Sequence, residues 1–228
     1  MSRIILLRHA KVNIDNPMIC SRDMKKFIEA YDHAPIEPFI VEDEIKAIMA
    51  DADIVLSSDM CRTKETLTYL GTKVQKCDTV FNEAQLPYAD GKIIKLPASW
   101  WAAIFRLMWL FGYDRESESY QEAKVQARLS ADMLIKYAQN HQTVLLVGHG
   151  VMNHLITKVL LQRGVLLVKK TDHSNLAYSI LKVDKERKKD YTSIINSKKE
   201  SKMKQTSFTT HFNTRKFALL LSFNLLSL

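Results

Sequence analysis

The sequence predicts an α/β protein, a three-layer α/β/α sandwich with a mostly parallel central sheet and an inserted helical lid. Three observations carry that prediction. Ile4-Ile5-Leu6-Leu7, Ile54-Val55-Leu56 and Val144-Leu145-Leu146-Val147 are short apolar runs with no polar residue at alternate positions, the pattern of strands buried on both faces. Segments of helical periodicity separate them, as right-handed crossovers between parallel strands require. Each run also ends in polar or charged residues, Arg8-His9, Ser57-Ser58 and Gly148-His149-Gly150, and ligands of open α/β sheets gather outside the carboxyl ends of strands.

In chain order, the first strand gives way to an irregular stretch interrupted by Pro17, Pro35 and Pro38. The spacing of Met24, Phe27, Ile28 and Tyr31 predicts a short helix within it. A second helix is expected over 42–50, with Ile45, Ile48 and Met49 on one face. After the strand 53–57, Asp59 is the expected N-cap of a helix that runs to about Leu70 and closes at Gly71. Thr79-Val80-Phe81 reads as a third strand, delivering Asn82 and Glu83 into a loop. The segment 98–111 holds all three tryptophans and, with fewer than the ~20 apolar residues of a bilayer span, reads as a lid or core helix. An amphipathic helix over 119–140 turns Ala123, Ala127, Leu134 and Tyr137 inward; a helix over 151–161 and a strand over 175–183 complete the body.

The domain boundaries expected are a body over 1–183, with the lid at about 91–119, and a basic, disordered tail over 184–228 with an apolar end. Most of the net charge of +8 lies at the end of the chain: 11 of the 33 basic and 4 of the 25 acidic residues fall within 182–228, a net +7. A nearly neutral body does not look like a nucleic-acid surface. Lysines followed by an apolar end fit, at most, weak association with an anionic membrane surface. Cys20, Cys61 and Cys77 are odd in number and show neither CxxC spacing nor histidine partners, which points to a reducing cytoplasm and no zinc site. Only four strongly apolar residues separate Arg3 from Arg8, too few for a signal-peptide core.

Three strand ends thus supply Arg8 and His9, Arg62, and His149. Guanidinium forks match phosphate oxygens, and the helix start after Gly150 adds a positive backbone end. With these motifs in order, the chain resembles the histidine phosphatase superfamily, which includes phosphoglycerate mutases and acid phosphatases. Arg8-His9-Ala10 is similar to the family's Arg-His-Gly, with Ala10 in place of glycine. Ser57-Ser58-Asp59-Met60-Cys61-Arg62-Thr63-Lys64-Glu65-Thr66 resembles its Ser-Ser-x-x-x-Arg-x-x-x-Thr run, and Gly148-His149-Gly150 its Gly-His-Gly. Glu83 aligns with the family's loop acid and Glu118-Ser119 with a Glu-Ser pair that opens the next helix.

The resemblance implies a metal-independent, cofactor-free phosphomonoester hydrolase acting on a small phosphorylated metabolite. His9 would become a phosphohistidine; Arg8, Arg62 and a protonated His149 would hold the phosphoryl oxygens; Glu83 would protonate the leaving alkoxide. Alternatives are a phosphoglycerate-mutase-like phosphotransferase, and a catalytically silent binding domain with a membrane-associating tail. At the positions where the family has a hydroxyl residue and an asparagine stand Val12 and Asp15, so Asp15 is expected to turn away and Asn16 or no residue to take the phosphate contact. Asp90 is a rival to Glu83, and His173 and Asn175 could border the pocket. His154 reads as a helix-surface residue, and Ser57 and Ser58 as turn and helix-start residues. A cysteine phosphatase is excluded, because the sixth residue after Cys61 is Leu67 and after Cys20 is Lys26, where arginine is required. Asp51-Ala52-Asp53 lacks the preceding buried strand that a magnesium-dependent aspartyl-phosphate enzyme needs.

Overall fold

The first apolar run forms strand β1 (Ser2–Arg8) at the middle of the sheet in the computed structural model, which describes residues 1–89, 94–172 and 174–184. Then follow β2 (Met18–Ile19), α1 (Met24–His33), α2 (Asp43–Asp51), β3 (Ile54–Ser57), α3 (Cys61–Tyr69), β4 (Lys76–Cys77), β5 (Leu96–Pro97) and α4 (Ala98–Leu110). The chain continues through α5 (Tyr120–Asn140), β6 (Thr143–Gly148), α6 (Gly150–Gln162), β7 (Leu166–Lys170) and β8 (Tyr178–Val183). Met1–Val183 form one compact unit and Asp184 begins a second. The expected tail and its membrane association lie outside the described residues, as do Asp90 and His173.

The sheet has the order β4-β3-β6-β1-β8-β7. β1 pairs in parallel with β6, as do β3 with β6 and β4 with β3, whereas β8 runs antiparallel to both of its neighbours. The continuous apolar runs are explained by helices on both faces. Ile4, Leu6, Leu56, Val144 and Leu146 pack with Leu134 of α5 and Ile156 of α6. Ile5, Leu7, Val55, Leu145 and Val147 face the other way, against Ile45 and Ile48 of α2 and Leu67 of α3. Because strand side chains alternate between faces, two cores demand apolar residues at every position. Each such side chain contributes about 1.5–3 kcal/mol by burial.

Local chemistry sets the helix boundaries near the site. Ser119 caps α5 through a capping box: its Oγ accepts from Glu122 N–H at 3.2 Å, and Glu122 Oε2 accepts from Ser119 N–H at 2.7 Å. Ala123, Ala127 and Ala131 then form a small-residue stripe, fully buried. In α4, Phe105 and Trp109 point inward, and Trp109 Nε1 donates to the carbonyl of Glu118 at 2.7 Å. β2 and β5 pair with each other away from the main sheet, and Trp101 Nε1 donates to the carbonyl of Ile19 at 2.9 Å. Those contacts tether α4 to the loop that follows β1.

Four expectations need correction. Thr79–Phe81 is a single 3₁₀ turn, not a strand; Asp78 Oδ1 accepts from Val80 N–H at 3.1 Å and turns the chain, so the strand is the preceding Lys76–Cys77. Asp59 does not cap α3, whose N-cap is Met60, because its carboxylate pairs with Lys64 at 2.6 Å. The last strand begins at Tyr178 rather than 175, after Leu176 has taken a φ of 61°. β7 was not expected, since its residues are exposed throughout and carry no buried pattern to read; Lys169 and Lys170 suit an edge strand.

Candidate active site

The end of β1 is enclosed by its neighbours. Arg8 N–H donates to the carbonyl of Ala177 at 2.9 Å and His9 N–H to that of Gly148 at 3.0 Å, so β1 ends held on both sides. The next residue, Ala10, is buried and does not have positive φ, which is why alanine fits where the resembled pattern has glycine. Its N–H donates to Thr66 Oγ1 at 3.0 Å. Its carbonyl lies 2.6 Å from His9 Nδ1. A carbonyl can only accept, so Nδ1 carries the proton and Nε2 keeps its lone pair. Burial first, then the Arg62 and Arg8 charges, push the His9 pKa down to about 3 against a raising effect of that hydrogen bond. His9 is therefore a neutral base at ordinary pH.

His149 follows β6 and precedes α6. Its ring centroid lies 5.2 Å from that of His9, on the same side of the sheet end. Arg62 Nε donates to His149 Nδ1 at 3.3 Å, so the proton of the neutral ring sits on Nε2, which donates to Ser58 Oγ at 2.7 Å. Ser58 in turn lies 2.9 Å from Thr63 Oγ1, and Thr63 donates to the carbonyl of Met60 at 2.7 Å. This chain fixes one tautomer. Burial and then the charge of Arg62 hold the His149 pKa well below the usual histidine value. The expectation of a protonated His149 on the cavity wall is thus not met: the residue is fully buried, and it accepts a hydrogen bond from Arg62.

Gly148 beside it has a steric reason: a Cβ there would come within 2.7 Å of Asn153 Oδ1, whereas one at Gly150 would make only ordinary contact with Arg8. Asn153 Nδ2 donates to the carbonyl of Leu7 at 3.2 Å, so this close approach ties the start of α6 to β1.

Arg62, buried in the first turn of α3, is placed by more than His149. Its Nη1 pairs with Asp32 at 2.7 Å, and its guanidinium lies 5.3 Å from the centre of the Tyr31 ring. Glu83 sits at the start of α6: Oε2 accepts from Val151 N–H at 3.1 Å, and Oε1 accepts from Met152 at 2.9 Å and Ala84 at 3.1 Å. A carboxylate there complements the helix dipole. One lone pair of Oε2 is left over for a proton or a substrate oxygen. The Glu83 loop is in turn held by Arg106 of α4, whose Nη2 donates to the carbonyl of Ala84 at 2.9 Å and Nη1 to that of Gln85 at 3.3 Å.

Arg8, His9, Arg62 and Glu83 line one cavity of about 800 Å³, with His149 just behind Arg62. Asn175 borders it and donates to the carbonyl of His9 at 3.2 Å. Asn16 lines the cavity, and its amide is used twice by the start of α4, donating to Ser99 Oγ and accepting from Ser99 N–H, both at 2.9 Å. Asp15 lines the cavity. His154 is exposed, as its helix position suggested. Asp32, Tyr31 and Arg106 were missed. They come from helices whose sequence shows only amphipathic spacing, and no local pattern marks their partner. Among the described residues, no cluster of three or more His, Cys, Asp or Glu side chains is arranged to hold a metal.

Fold and site together define an α/β protein with a pocket at the carboxyl ends of its parallel strands that carries the His9 imidazole and the guanidinium groups of Arg8 and Arg62. A family model, the histidine phosphatase superfamily (branch 1), matches residues 42–192, and the chain belongs to that family. Arg8 and His9 precede the matched segment. No curated protein sequence matches the chain. Among solved structures, the chain is similar to the open reading frame Rv3214 product from Mycobacterium tuberculosis, with 16% identity and a TM-score of 0.50 over 81% of this chain and 92% of that one. A mycobacterial hydrolase 1 gives 17% identity and a TM-score of 0.50 over 79% and 88%. A mycobacterial glucosyl-3-phosphoglycerate phosphatase gives 17% and 0.49 over 80% and 96%. At these identities the likeness is one of fold.

Proposed function

We propose that the chain is a phosphomonoester hydrolase that works through a phosphohistidine at His9, without a metal. The observation that carries this reading is the His9 ring itself: Nδ1–H is held by the Ala10 carbonyl, leaving the Nε2 lone pair on a cavity that also contains Arg8 and Arg62. Nε2 attacks phosphorus in line, the P–O bond to the alcohol breaks, and the electron pair leaves on the alkoxide. Protonated Glu83 gives its proton to that oxygen; the water oxygen then bonds to phosphorus as the P–N bond breaks, the electron pair returning to His9 Nε2 and the water proton going to Glu83. The guanidinium groups offset the charge on the equatorial oxygens.

For His149 the geometry supports a role through Arg62. As a neutral acceptor it orients the guanidinium. Small phosphorylated metabolites are the substrate class, and a reducing cytoplasm suits the unpaired thiols of Cys20, Cys61 and Cys77. No helix among the described residues is long and apolar enough to cross a membrane.

The test is chemical trapping. Protein incubated with ³²P-labelled phosphoramidate or a labelled monoester and quenched in alkali should carry an acid-labile label on His9, absent from His9→Ala. Turnover without such a label, or a label that survives the substitution, overturns the mechanism.

A further inference from the structure

The helical stripe of α1 does not pack into either core. Met24, Phe27, Ile28 and Tyr31 recur at the spacing of one helix face; Met24 is fully buried, Phe27, Ile28 and Tyr31 are half-buried, and none of them belongs to the two buried clusters of the sheet. All four line the cavity. An apolar face normally finds its burial within the protein; here it borders a hollow of about 800 Å³, much larger than a phosphate and a short carbon chain need. The stripe also has a direction. The Phe27 and Tyr31 rings lie 6.4 Å apart, and Tyr31 stacks over the guanidinium of Arg62, so the aromatic surface starts at the candidate phosphate site and runs outward. Leu86 and Tyr88, beyond Glu83 in the next loop, give the cavity a second apolar wall.

The charges around this outer part have the opposite sign to those at the phosphate end. Asp15, Glu29 and Glu116 line it, while Asp32 is paired with Arg62 at 2.7 Å. Of the cations there, Lys11 pairs with Glu37 at 2.8 Å and Arg106 has its fork engaged by two backbone carbonyls though it keeps its charge; Lys25 is the other. A substrate with a second anionic group would meet carboxylates without a matching arginine fork.

We infer that the cavity selects phosphomonoesters of alcohols that carry an aromatic ring system and no second anion, the ring lying along Phe27 and Tyr31 of α1 while the phosphate sits at Arg62. Ring stacking supplies the binding, and the carboxylates of the rim disfavour short esters that carry a second anionic group, such as phosphoglycerates. This inference rests on the phosphatase reading above.

The experiment compares three primary alkyl phosphates of matched leaving group: a nucleoside 5′-monophosphate, ribose 5-phosphate and 3-phosphoglycerate. The expected kcat/KM for the nucleotide exceeds that for ribose 5-phosphate by about tenfold or more, and 3-phosphoglycerate is the poorest. Phe27→Ala should bring the nucleotide down to the level of ribose 5-phosphate and leave the latter unchanged. Labelling of His9 by phosphoramidate, which has no ring to stack, should be equal in wild type and Phe27→Ala and so reports folding and the phosphate centre alone. If phosphoramidate labels His9 but ribose 5-phosphate or 3-phosphoglycerate is used as well as the nucleotide, the selectivity is wrong and the hydrolase reading stands. If Phe27→Ala weakens both sugar substrates equally, the stacking assignment fails. If neither phosphoramidate nor any ester labels His9, the hydrolase reading itself falls.

Discussion

The two ends of the cavity differ in how they are built. At the phosphate end, Arg8, His9 and His149 sit at or just past the ends of adjacent strands, Arg62 lies in a first helical turn, and backbone hydrogen bonds fix β1 on both sides. At the leaving-group end, the walls are the exposed or half-buried residues of α1, of the loop after Glu83 and of α4, joined by side-chain contacts such as Asn16 with Ser99 and Trp101 with Ile19. One end is a product of the sheet and the other of its insertions. The former has the rigidity that charge stabilisation in a transition state needs, while the latter is free to vary with the alcohol.

This contrast predicts that damage at the phosphate end should be large and indifferent to substrate. His9→Ala should lower turnover by roughly 10⁴-fold or more, because no other group supplies the nucleophile; a loss of less than about tenfold in steady-state rate would break the assignment. Arg62→Ala should reduce kcat/KM by roughly 10²–10³-fold for every ester tested. A loss confined to one class of alcohol would instead move Arg62 to the other end of the cavity.

Ser58→Ala sharpens the distinction between touching the phosphate and preparing the group that does. With Ser58 Oγ gone, the His149 tautomer is no longer held, and a decrease in kcat of roughly tenfold is expected, about the worth of one hydrogen bond. The acid limb of the pH profile should also move to lower pH, since the lost acceptor stabilised the cationic ring more than the neutral one. An unchanged profile together with a lower melting temperature would make Ser58 merely structural.

Burying two neutral imidazoles has a cost in acid. The folded His9 pKa of about 3 lies below the unfolded value of 6.5, so the unfolded chain binds more protons between these pH values. Stability should be level above about pH 6.5 and fall as pH drops towards 3, by up to about 1.4 kcal/mol per pH unit for this one group. His149 acts in the same direction. Urea midpoints measured from pH 7 to 4 should drop less steeply in a folded His9→Gln variant than in wild type; parallel curves would mean that His9 is charged in the native state. The smallest effect belongs to the junction of the two ends. Asp32 occupies Nη1 of Arg62, so Asp32→Asn should tighten product inhibition by inorganic phosphate by a few-fold, as expected for a half-exposed pair worth about 1 kcal/mol or less. Weaker inhibition would show instead that Asp32 orients the guanidinium for phosphate.

Legibility followed the same division. Arg8, His9, Arg62 and His149 could be singled out because each lies beside a strand end with its own local signature, whereas Glu83 was reached only through the family resemblance. Their convergence then follows from strand adjacency. The hydrogen-bond roles could not be read: Ser58 looked like a turn residue, and a protonated His149 was expected where the structure has a buried acceptor for Arg62. The apolar spacing of α1 correctly located a helix, but it suggested nothing about a cavity.

Strand and helix positions in the body, and the four chain segments that meet at the phosphate end, come from short-range patterning, since doubly buried strands and their flanking turns impose composition on contiguous residues. Three matters were decided by packing alone: the antiparallel course of β8, the pairing of Asp32 and Tyr31 with Arg62, and the turning of the α1 stripe towards a hollow instead of the core. Periodicity along a chain states that a face must be covered. What covers it depends on elements many residues away, whose approach is set by the whole set of contacts.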